Sequence, residues 1–181
     1  MEHWIAECGA SGAAFLNQSD IVTSSHFRDI CRKNTCGNYN RCYKCPPDAG
    51  DIQELIAEVR KYHKGILYQT IHDIEDSFDI EGMAEAAKAH TQCCQAIEAA
   101  AADRYVEGFL HLSAGGCNLC DRCGKRDSIP CRHPGQALPS LEAYGINVHD
   151  TAENVRLPYI NGVNTITYFG AVLYQEEKWE H

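Results

Sequence analysis

Between residues 51 and 112 the apolar positions change rhythm three times. Ile52, Leu55, Ile56, Val59 and Tyr62 recur in steps of three and four, which lays them along one face of an α-helix. Gly65 follows where a C-terminal cap belongs. The run ILYQTI after it is β-branched and aromatic, the composition of a strand. A second, alanine-rich helix is predicted from residue 78 or 79 to 103, with Met83, Ala87, His90, Cys94 and Ile97 sharing a face. VEGFLHLS then predicts another strand, ending in Ala114-Gly115-Gly116. Residues 139–144 and 151–156 read as short helices and 165–174 (TITYFGAVLY) as a final strand. Before residue 51 the pattern is mixed. Residues 20–25 (DIVTSS) resemble a short strand, and Pro46-Pro47 forces the chain to turn, since neither proline fits a helix interior or a central strand. This alternation predicts an α/β fold, a mixed central sheet with flanking helices and two cysteine-rich loops, in one domain over residues 1–181.

Charge narrows the partners. The 25 acidic against 16 basic residues give a net charge of −9, which repels a phosphate backbone, so nucleic acid is not expected as a partner. No apolar run approaches the ~20 residues of a membrane helix, and the segment MEHWIAECGASGAAFL carries two acids where a secretory signal carries bases. A cytoplasmic protein with no membrane partner is expected.

Eleven cysteines, an odd and clustered set, change the picture most. In a reducing compartment such a set points to metal or redox chemistry rather than disulfides. Cys117-Asn-Leu-Cys120-Asp-Arg-Cys123 repeats the first three positions of the bacterial ferredoxin run, which wraps the irons of one cubane, and Cys131 follows. Zinc prefers two separated Cys-x-x-Cys knuckles and fits this triple less well. Gly115 and Gly116 can adopt positive φ and aim N–H groups at cluster sulfides. The fourth ligand is open among Cys131, Cys45, whose following proline marks the remote ligand in ferredoxins, and His133.

Upstream, Cys31, Cys36, Cys42 and Cys45 offer four more thiols within fifteen residues. Their less regular steps leave three readings: a second 4Fe-4S cluster, a structural zinc site, or one cluster shared with the downstream group. Arg28, Arg32, Lys33, Arg41 and Lys44 could offset thiolate charge. Cys93 and Cys94, adjacent on a helix, point about 100° apart and read as core. Cys8 reads as a bystander, and His26, His63, His72, His90, His111 and His149 as ordinary surface or core histidines.

The segments FRDICRKNTCGNYNRCYKCPPDAG and CNLCDRCGKRDSIPCRHPGQALPSLEAYGINV resemble a family of uncharacterised, predicted metal-binding, cysteine-rich proteins, the domain of unknown function 2284, found largely in anaerobic bacteria and archaea. The resemblance covers nearly the whole chain. It implies a metal and no particular reaction. In that pattern Cys31, Cys36 and Cys45 stand at expected positions, and Cys42 at one more often filled by another residue. The downstream counterparts are Cys117, Cys120, Cys123 and Cys131, followed by the Arg132-His133-Pro134 turn. Cys42 is therefore read as an optional fourth upstream ligand, whose replacement changes a spectrum more than a metal content.

Two functions of different class follow. One is an iron-sulfur protein, with one or two 4Fe-4S clusters, that passes electrons to a redox partner protein, steered by its acidic surface. No GxGxxG or Walker loop points to a nucleotide cofactor. The other is an iron-sulfur enzyme whose upstream centre, with Cys42 outside the ligand shell, keeps an open iron for a small or sulfur-containing substrate. Tyr39, Asp48 and His26 are then candidates for proton transfer. A zinc-stabilised scaffold is the third reading.

Overall fold

The computed structural model describes residues 3–105 and 108–175. Four strands, β1 (Gly12–Asn17), β2 (Lys64–Asp73), β3 (Phe109–Leu112) and β4 (Thr165–Tyr174), form one sheet in the order β1-β2-β4-β3. Five helices accompany them: α1 (His3–Glu7), α2 (His26–Arg32), α3 (Ile52–Val59), α4 (Ile80–Arg104) and α5 (Val148–Asn154). The α/β class is as expected. The pairing is not mixed, however, because all three strand contacts are antiparallel and parallel pairing is confined to an isolated bridge between Ser113 and Ser140.

The sheet is covered on both faces, and the alternation of its central strands shows why. Leu67 of β2 and Phe169, Ala171 and Leu173 of β4 join Leu55 and Val59 of α3 and Ala152 of α5 in one core cluster. Ile66 and Tyr68 of β2 and Val172 of β4 point the other way, into a cluster with Trp4 and Ile5 of α1 and Cys93, Cys94, Ile97 and Ala101 of α4. Tyr68 fits because Gly170 lies opposite it in register, and a Cβ there would run into the phenol. Cys93 and Cys94 are core residues as expected.

Local chemistry places the helix starts. The Asp51 carboxylate accepts from the Gln53 N–H at 2.8 Å and caps α3, and Asp79 does the same for α4 through the Gly82 N–H at 2.8 Å. Gly65 is no cap. The helix ends at Val59, and Gly65 belongs to β2, where a Cβ would meet Leu173 Cδ2 at 2.6 Å. Residues 20–25 are not a strand either: Asp20 closes a single 3-10 turn, and Thr23 makes only an isolated bridge to Ile146. Residues 139–144 hold a 3-10 turn at Glu142–Tyr144, and the helix expected at 151–156 starts earlier, at Val148. Val106 and Glu107, at the start of the VEGFLHLS segment, lie outside the described residues.

Between the sheet and α4 runs a buried chain of polar groups. Tyr68 Oη contacts His111 Nε2 at 2.7 Å and Cys94 Sγ at 3.1 Å, and His111 Nδ1 meets Glu98 at 2.7 Å. His90 Nδ1 bonds Thr70 Oγ1 at 2.9 Å, while its Nε2 lies 3.3 Å from Ser113 Oγ. Burial, aided by the nearby His72 and His111, brings the His90 pKa down to about 4. Unfolded chain therefore binds a proton near pH 6.5 that the native protein refuses until about pH 4, so this contribution is whole above 6.5 and is lost as pH falls between the two. It amounts to about 3 kcal/mol. Urea unfolding at pH 7 and pH 4.5 is expected to show His90→Gln losing less stability on acidification than the parent; equal losses would refute it.

Candidate metal centre

The two cysteine loops hang from opposite parts of the chain and meet on one side of the fold. Residues 33–50 follow α2, and residues 113–140 follow β3, with the latter loop pinned at its ends by Ser113 N–H to Pro139 O and Leu141 N–H to Ser113 O, both 2.9 Å. Cross-links lace them together. The Tyr43 hydroxyl donates to Ile129 O at 2.9 Å, Arg126 to Asn38 Oδ1 at 3.3 Å, and Lys125 pairs with Asp48 while its ammonium sits 5.6 Å from the Tyr43 ring centroid. Gly115 takes φ +63°, as expected of a tight turn, whereas Gly116, expected to do the same, does not adopt a positive φ. Gly116 admits the approach of Asn38, whose Nδ2 would lie 2.5 Å from any Cβ.

Cys31, Cys36 and Cys45 line one cavity of about 230 Å³, together with Tyr39, Gly115 and Glu142. Cys31 sits at the end of α2, a helix the sequence pattern does not announce. Cys42 is not among the cavity's lining residues. The Cys45 thiol foremost, then the N–H groups of Lys44 and Cys117 and the Cys123 thiol, lie near enough to its sulfur to hold the Cys42 thiol well below its ordinary pKa despite burial. Cys45 is pushed far up by the same pairing and by burial. Burial also raises Cys31, opposed by the Arg28 guanidinium, and Cys117, which lies within electrostatic reach of Cys42, Cys131 and Cys120. Cys42 thus lies near both cysteine groups.

Other expected residues divide. Tyr39 faces the cavity, whereas Asp48 is held by Lys125, and His26 lies exposed, 3.9 Å from Asp29. Of the basic residues, Arg28 is buried and binds Gly50 O at 2.8 Å and Ala143 O at 3.4 Å, while Arg32 pairs with Asp29 at the surface. His133 only caps a turn through its carbonyl. Glu142 is the residue sequence reasoning misses: it stands in a segment read simply as a short helix, and only folding carries it to the cysteines. A smaller void of about 20 Å³ between Cys94, Ser113 and Cys117, room for about one water, brings the buried polar chain close to the downstream loop. Among the described residues, no three cysteine sulfurs lie within 4.8 Å of one another; the trio that does is His149, Asp150 and Glu153, exposed or half-buried on α5.

A model of predicted metal-binding proteins, the domain of unknown function 2284, matches residues 14–174 and so takes in both loops and nearly the whole sheet. The chain belongs to this family. Comparison with curated proteins and with solved structures finds no match in either. As a member of a predicted metal-binding family the chain offers donors that suit the description, since thiols of two loops lie near one another. Cys8 falls outside the matched residues and packs beside the α1 and α4 core, in keeping with a bystander. No helix among the described residues is long and apolar enough to cross a membrane.

Proposed function

We propose that this protein binds two 4Fe-4S clusters side by side and passes electrons between them and a redox partner. The observation that carries the reading is the convergence of eight thiols, Cys42 among them, from two loops, with a cavity of about 230 Å³ lined by Cys31, Cys36 and Cys45. Four thiolates suffice for one cubane, so eight point to two centres rather than one shared centre. Cys31, Cys36 and Cys45 belong to the upstream centre. Cys117, Cys120 and Cys123 belong to the downstream one, with Cys42 as their fourth and Cys131 nearby.

Size speaks for clusters over zinc. A zinc ion with Zn–S bonds of about 2.3 Å draws its sulfurs to about 3.8 Å from one another and leaves no void. The cavity that Cys31, Cys36 and Cys45 line, about 230 Å³, has room for a cubane. N–H groups from Lys44 and Cys117 directed at a sulfur are the kind of contact that tunes a cluster's potential. The net charge of −9 favours steering toward a basic face on the partner. Protein purified without oxygen is expected to be brown and to carry about eight iron and eight sulfide per chain. Stoichiometric zinc without sulfide would overturn the reading.

A further inference from the structure

The wall of the upstream cavity holds a carboxylate that nothing in the fold accounts for. Glu142 opens the 3-10 turn Glu142–Tyr144, where its backbone is fixed by Tyr144 N–H to Ser140 O and by the Gly145 N–H to its own carbonyl at 3.0 Å. Burial raises the pKa of its carboxyl group, opposed by its own N–H, the Ser140 hydroxyl and the Gly115 N–H nearby. Its Oε2, by contrast, is buried and has no partner. A carboxylate oxygen withdrawn from water without a partner is costly. Burial favours the protonated form, and a cation in the cavity would relieve the same cost with the carboxylate charged. An electron-pair acceptor entering the cavity would meet both this oxygen and the sulfurs of Cys31, Cys36 and Cys45, which line the same space as Thr35, Asn38, Tyr39 and Ser140. Cys31 is close enough for the Glu142 charge to act on it.

Resting on the iron-sulfur reading above, we propose that Glu142 is the fourth protein ligand of the upstream centre, its Oε2 binding the iron that Cys31, Cys36 and Cys45 leave without a thiolate. Iron accepts carboxylate oxygen readily, as sites with mixed carboxylate ligation show. Such a position differs from the other three. A hard oxygen donor is bound less firmly than thiolate, so this iron is the one that exchanges its ligand, and a small donor molecule entering past Tyr39 replaces the carboxylate without any change in oxidation state. Cys42 is not among the residues that line this cavity.

The experiment compares the parent chain, Glu142→Gln and Glu142→Cys, each reconstituted with iron and sulfide under anaerobic conditions. Glutamine keeps the size and an acceptor oxygen for Ser140 and Gly115, and circular dichroism checks that the fold is retained. Mössbauer spectra of the parent are expected to show one iron in about eight with the larger isomer shift of an oxygen-bound site. In Glu142→Gln that component disappears, and mild oxidation releases about one iron per chain, leaving a paramagnetic three-iron cluster. Glu142→Cys restores full iron, with all sites thiolate-like. Identical Mössbauer components and iron retention in the parent and Glu142→Gln, with iron and sulfide present, would overturn the assignment of Glu142 alone. A parent chain that takes up no iron and sulfide would overturn the iron-sulfur reading as well.

Discussion

On the two-cluster reading, Cys42→Ser is expected to cost the protein about half of its iron and sulfide, the content of one cluster of two. From sequence alone Cys42 is the dispensable member, because its spacing is irregular and the family position is often filled otherwise. In the structure Cys42 is buried, stands outside the upstream cavity, and has groups of both loops acting on its thiol, Cys45 and Lys44 upstream and Cys117 and Cys123 downstream. Its loss removes a thiolate from the Cys117–Cys123 centre and the contact that fixes Cys45 beside it. The parallel substitution Cys131→Ser, which removes a thiol that reaches Cys117 only at longer range, is expected to lose less. Iron and sulfide per chain, measured on both variants after anaerobic purification, check this; a Cys42→Ser protein with full content would return Cys42 to the optional role.

Removing the metal is expected to unfasten both loops and leave the sheet standing. Between residues 33 and 50 the buried side chains are Cys42, Cys45 and Pro46, and between residues 115 and 136 the buried residue is Gly124. Such segments bury too little apolar surface to offset the entropy of ordering them, roughly 1–2 kcal/mol per residue for the backbone. The surface ion pairs across the loops add little in water, so ligand bonds have to hold them. Hydrogen exchange on chelated protein should show amide protection in residues 31–50 and 113–140 falling by about a hundredfold, on the order of 3 kcal/mol of local stability. Protection in β2 and β4, whose central residues are buried on both faces, should change far less. Equal protection of the loops with and without metal would refute the claim.

The sequence discloses the elements that bury a face and hides those that do not. Helices α3 and α4 and strands β2 and β4 are legible because their apolar residues repeat at 3.6 or as β-branched runs long enough to notice. β1 is not: of GAAFLN only Leu16 is buried, and Phe15 is exposed, so no alternation marks it as a strand. α2 escapes for a similar reason, with Arg28 as its buried residue and Ile30 exposed. Antiparallel pairing throughout is equally hidden, since it follows from which strands become neighbours. The cysteines themselves are legible as donors by spacing. Their grouping is not, because the approach of Cys42 to Cys123 and of Glu142 to Cys31 joins residues that local pattern cannot relate.

Strand order carries a consequence for how the molecule is assembled in time. β4 lies between β2 and β3, so the hairpin-like pair of β1 and β2, with the upstream loop between them, and β3, with the downstream loop after it, have no shared edge until the last of the four strands is made. A nascent chain that has emerged only as far as residue 131 possesses every cysteine and yet has no frame to hold the two loops face to face. Long-range pairings of this kind form late. On the two-cluster reading, cluster insertion waits for β4, the clasp whose arrival turns scattered thiols into paired ligand sets.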